Sequence, residues 1–116
     1  MRLLPACLIV TAFLGAAAPA RADLVLTGVD AQRLHCAAML MVISDRLAQA
    51  GFIPAEARAQ AQVVAVALLS ELPGSERDRV RALVQRADKL MRTRTMPALL
   101  DEFEATVDWC AAQVPE

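Results

Sequence analysis

From residue 26 onward the apolar positions step by three and four, with polar residues between them. That is the period of amphipathic helices packed on a core. Cys36, Leu40, Ile43 and Leu47 form one seam, and Val80, Leu83, Ala87 and Leu90 a second. Met96, Leu99, Phe103, Val107, Cys110 and Val114 form a third. The stretch "AQVVAVALL" (61–69) is apolar nearly all round, which predicts the most enclosed helix of the fold. Its small side chains would let neighbours approach closely.

The breaks between these patterns carry helix start and stop signals. Thr27 with Asp30 reads as a capping box in its Asp variant, and Ser75 with Asp78 repeats it. Gly51 stands where a helix wants a left-handed residue after its last turn, with Phe52 placed to fold back on Leu47. Pro54 suits the first turn of the next helix. "PGS" at 73–75 breaks the second pattern, and "TRTMP" at 93–97 breaks the third, with Thr95 as a cap and Pro97 in the first turn. No segment alternates like a strand and no hairpin dipeptide occurs. The chain therefore reads as all-α, a small up-down four-helix bundle with helices at about 28–50, 54–72, 76–92 and 96–113.

The start of the sequence has another character. Met1-Arg2 is followed by 18 uncharged residues (3–20), and "ARA" at 20–22 matches the small-x-small pattern of a signal peptidase site. The uncharged run holds Pro5 and Pro19 and falls short of the ~20 apolar residues that span a membrane comfortably. The expectation is a signal peptide over 1–22 and a single helical domain over 23–116. In the processed chain the longest apolar runs, 36–43 and 63–69, are too short to cross a bilayer. Arg2 and Arg21 leave with the leader and no acid does, so the formal charge moves from −1 to −3. Arginine outnumbers lysine 11 to 1, a usage of GC-rich bacterial genomes, and the expected location is the bacterial periplasm or exterior.

Processing also removes Cys7, leaving Cys36 and Cys110, and an exported chain with two cysteines most simply forms one disulfide. Helix rise tests the pairing. If the first helix ends at the level where the fourth begins, Cys36 lies ~21 Å and Cys110 ~22 Å from that level. If the third and fourth helices were one, the two would stand tens of ångströms apart, far beyond the ~7 Å that a disulfide tolerates between Cα atoms. Staple and four-helix division support each other.

His35 and Met39, four apart, share a helix face, and imidazole with thioether suits Cu(I). Against a copper site, Met39 also fits as core filler and two ligands are few. No catalytic set is legible: His35 has no obvious partner, Ser44, Ser70 and Ser75 read as helix-surface or cap residues, and HExxH, P-loop, GxSxG and GxGxxG are absent. No cofactor is expected. Charge is segregated, with net +4 over 76–94 and net −5 over 95–116. Either the third and fourth helices attract each other along their flanks, or the basic residues Arg77, Arg81, Arg92 and Arg94 present a face to an acidic partner or anionic surface. Nucleic acid is disfavoured by the acidic total and the scarcity of stacking aromatics.

The order of signal, Cys36 in the first helix, Cys110 in the last and an Ala/Arg-rich interior resembles small exported all-helical proteobacterial proteins with no assigned activity. The single cysteine pair also resembles acid-stress periplasmic chaperones of the HdeA type. This chain departs from them in its wider cysteine spacing and its lack of a lysine-rich, strongly polar make-up. The expected function is therefore a non-enzymatic, exported partner-binding or accessory protein, its partner another envelope protein or an anionic surface. A periplasmic stress chaperone or a weak copper binder are the alternatives.

Overall fold

Thr27, extended, leads into the first helix, α1 (Gly28–Gln49). Its side chain makes no capping bond, and Asp30 pairs with Arg33 at 3.3 Å instead of closing the anticipated box. At the other end Gly51 adopts φ +78°, a conformation that costs a glycine little. Its N–H donates to Ala48 O at 3.1 Å and the Phe52 N–H to Leu47 O at 2.9 Å, the paired bonds of a Schellman stop. The backbone motif is thus as anticipated, but the Phe52 ring is mostly exposed and covers nothing. Pro54 stands at the N-cap position of α2 (Ala55–Ser70), one residue ahead of the anticipated first turn, and makes no side-chain capping bond. The computed structural model describes residues 24–116, so the expected signal peptide (1–22) lies outside the described residues.

Two further caps form as their sequences direct. Ser75 accepts from the Asp78 N–H at 3.1 Å and opens α3 (Glu76–Thr93). Thr95 accepts from the Ala98 N–H at 3.3 Å and opens α4 (Met96–Ala112), with Pro97 in the first turn. Gly74, at φ +95°, makes the turn before α3, and the Arg79 guanidinium closes that turn on the Leu72 and Gly74 carbonyls at 3.3 and 2.8 Å. The described residues form four helices and no strand.

The helices do not share the core equally. α1 packs on each of the other three and carries half of the core: Leu34, Cys36, Ala37, Ala38, Met39, Val42 and Ile43 are all buried, with Ser44 among them. Four consecutive buried residues, 36–39, span every side of one helical turn, so α1 is the enclosed helix. This corrects the sequence expectation for α2. That helix buries only Ala65, Leu68 and Leu69, and leaves Val63 68% and Val66 60% exposed. Alanines at Ala37, Ala38 and Ala65 have no accessible surface and let α1 and α2 approach closely.

α3 adds Ala82, Leu83 and Leu90 to the core, and α4 adds Leu99 and Cys110. Leu24 and Leu26, ahead of α1, are half-buried against the same cluster. The seam positions Val80 and Val107 turn out exposed, so the seams of α3 and α4 are narrower than their spacing suggests. α3 and α4 share no extended interface; each packs mainly on α1. The flank-to-flank attraction that the charge pattern offered as one explanation is thus limited, among the described residues, to the Arg94–Glu102 pair beside the connection of the two helices.

Cys36 and Cys110 form the disulfide, with Cα atoms 5.8 Å apart. Arg33, one turn before Cys36, donates to Gln113, one turn after Cys110, at 3.2 Å. The first half of α1 is thus stapled to the last turn of α4.

The bridge closes a loop between residues 74 apart. In the chain-entropy model that stabilises by about 4 kcal/mol, a large part of the ~5–15 kcal/mol typical of a domain. Urea denaturation of the oxidised and reduced protein is expected to differ by about that amount. A difference below about 1 kcal/mol would mean that helix packing alone holds α4 in place.

Candidate functional site

His35 precedes Cys36, so it faces the seam between α1 and α4 that the disulfide draws together. Its Nε2 lies 2.6 Å from Glu102 Oε1 in α4. Arg94 enters from the two-residue connection between α3 and α4, and its Nε donates to Glu102 Oε2 at 3.2 Å. Arg94 Nη1 also donates to Thr93 Oγ1 at 3.0 Å. One carboxylate therefore joins α1, α4 and the end of α3, with each of its oxygens taken by a different helix's cation or ring.

Burial alone would raise the Glu102 pKa, but the hydrogen bonds and charges of His35 and Arg94 outweigh it and hold the carboxyl below its ordinary value. A carboxylate can only accept, so the His35 Nε2 carries the proton in this contact. That leaves Nδ1, which is buried and has no hydrogen-bond partner among the described residues. A carboxylate–imidazole pair is two-thirds of a hydrolytic triad, and among the described residues no hydroxyl or thiol is hydrogen-bonded to His35. The neighbouring Thr106 hydroxyl donates to the Glu102 carbonyl of its own helix at 3.0 Å. Ser44 and Ser70 donate to carbonyls of their own helices, Ser75 caps α3, and Cys36 is in the disulfide. The pair works as an interhelical clamp.

Beside it is a pocket of about 350 Å³ between α1, α3 and α4. His35, Arg86, Thr106 and Trp109 line it, with Met39 and the disulfide behind them. His35 and Met39, paired in sequence as copper ligands, do border one cavity, but Nε2 is engaged by Glu102 and Met39 is wholly enclosed. Among the described residues no three His, Cys, Asp or Glu side chains gather as a metal site.

The four arginines singled out by sequence separate into two sets. Arg77, Arg81 and Arg92 fall within about a sixth of a turn on α3 by helical periodicity. Arg92 is paired with Asp88 at 2.9 Å, while Arg77 and Arg81 have no ion pair among the described residues. Arg94 is diverted into the Glu102 clamp. Sequence reasoning missed Glu102, Arg86 and Trp109. His35 and Glu102 are 67 residues apart, and only the Cys36–Cys110 link, followed two turns back along α4, could have brought Glu102 into view.

Because Glu102 has a lowered pKa when folded, its contribution to stability is present above the ordinary glutamate range and lost as pH falls through the folded value. Glu102→Gln is expected to cost about 1 kcal/mol at pH 7, discounted for partial exposure. Urea melts at pH 7 and pH 3 check this: the gap between wild type and variant should narrow at the lower pH, and an equal gap at both would contradict it.

Compared with known protein families, curated proteins and solved structures, the chain matches none.

Proposed function

We propose that the chain is a non-enzymatic partner-binding or accessory protein, exported to the bacterial periplasm, that acts through the outer face of α3. The observation that carries this reading is the freedom of Arg77 and Arg81. The acidic stripe of α4 (Asp101, Glu104 and Asp108, all exposed) would be their natural neutraliser, yet α3 and α4 share no extended interface. A cationic face left without an internal partner is available to an external acidic one. Val84 lies on the same face, 61% exposed, and offers an apolar contact between the charges.

Export rests on the leader-like residues 1–22 and on a disulfide of the kind that persists in oxidising compartments. No helix among the described residues is long and apolar enough to cross a membrane. The absence of catalysis rests on hydroxyls committed to backbone and sulfurs committed to each other. The other two readings have narrower support. The stress chaperone draws on the single acid-sensitive clamp at Glu102, and the copper site draws on His35 and Met39, whose lone pairs are engaged or enclosed.

Crosslinking in periplasmic extract tests the reading. The mature protein, starting at Asp23, is expected to form a discrete adduct that weakens with salt. The double variant Arg77→Glu/Arg81→Glu should lose it while keeping its helical spectrum. An adduct of equal yield from the double variant would rule out the α3 face.

A further inference from the structure

We propose that the pocket between α1, α3 and α4 is a binding site for a small apolar carboxylate, held by Arg86. The site is separate from the outer face of α3: by helical periodicity Arg86 points about half a turn away from Arg77. The inference therefore stands or falls independently of the partner-binding reading.

The cavity's size, about 350 Å³, is at the small end of the range that holds organic ligands. Its walls are mostly apolar: the Ala31 methyl, the Trp109 indole, and Met39 and the disulfide behind. Its one formal charge is Arg86. Of the half-buried arginines, Arg33, Arg79 and Arg94 are each held by oxygens of the fold, whereas Arg81 and Arg86 are not, and of those two only Arg86 borders the pocket. Arg86 has no hydrogen bond or ion pair among the described residues. A guanidinium partly removed from water and left unpaired is penalised, and an anion that reaches it relieves that penalty. Among the described residues no carboxylate lines the pocket, and both oxygens of nearby Glu102 are already occupied.

These features select the ligand class. One guanidinium matches one carboxylate through two parallel hydrogen bonds. A phosphate dianion would meet too little positive charge, a neutral chain would leave the guanidinium unpaired, and an alkylammonium would be repelled. The apolar walls require a hydrocarbon body on the ligand, and the volume keeps it small.

Trp109 is the only tryptophan in the chain, so its emission reports on this pocket directly. The oxidised mature protein is titrated with octanoate, octanol and octylammonium, each below its aggregation concentration. Octanoate is expected to give a saturable change, at least tenfold tighter than octanol, with octylammonium giving none. Arg86→Gln should weaken octanoate about tenfold or more with an unchanged helical spectrum, and Arg86→Lys should keep part of the affinity. No saturable response to octanoate, equal affinity for octylammonium, or octanoate binding unaffected in Arg86→Gln would each overturn the proposal. The ligand series on the wild-type protein decides the matter even if the variants fold poorly.

Discussion

The Cys36–Cys110 disulfide fixes where α4 can sit. Beyond the bridged Cys110, α4 fully buries only Leu99, with Met96, Leu100 and Phe103 partly buried against the core, a modest apolar attachment for a helix of 17 residues. With the disulfide, the start of α1 is bound to the end of α4, and three polar contacts fall into place around the link. Arg33 reaches Gln113, His35 reaches Glu102, and Glu102 in turn takes Arg94. The pocket backed by the disulfide follows from the same constraint, because α3 and α4 meet over α1 there without closing on each other. Site and staple are one arrangement. The chain has no tyrosine, and its largest fully buried side chains are Met39, Leu68 and Leu90, so the core is built from small and aliphatic groups. A covalent link contributes most in such a domain.

Local signals along the chain are reliable where the physics is local. The Ser75 and Thr95 caps and the left-handed Gly51 depend on residues within one turn of each other, and they form as their sequences direct. Thr27 is the exception, since Asp30 is drawn to Arg33. Periodicity misleads about burial for a physical reason. It measures how apolar a helix is, not how many neighbours cover it. α2 is apolar nearly all round over 61–69, but with α1 as its main neighbour it leaves Val63 and Val66 in water. α1 shows a modest pattern because it is covered from several directions, and the uncharged run 36–43 was the better sign of its central place. The disulfide was legible from the cysteine count of the expected exported chain and helix rise together. The Glu102 clamp and Arg86 were not, because contacts across 67 residues or between different helices leave no mark on local spacing.

Charge segregation acquires a different meaning once the packing is known. Opposite charges on sequential helices suggest mutual attraction, but the shared neighbour α1 keeps α3 and α4 from lying flank to flank. What remains is a molecule with a basic outer face on α3 and an acidic one on α4, plus a single arginine turned inward to a pocket. Arginines on one helix thus serve three ends. Arg79 ties down a turn, Arg77 and the half-buried Arg81 are left without an ion pair on the outer face among the described residues, and Arg86 borders the cavity. Helical angle separates Arg77 and Arg81 from Arg79 and Arg86, and height along the helix separates Arg79 from Arg86.

The central claim is the covalent link, and peptide mapping without reduction tests it most directly. Trypsin releases Cys36 on the peptide 34–46 and Cys110 on the peptide 95–116. Protein recovered from its native compartment and alkylated at once should yield the two peptides joined as a single mass that separates on reduction. Recovery of both peptides unlinked and alkylated before any reductant is added would contradict the account, removing the reason for α4 to hold Glu102 and Trp109 against α1.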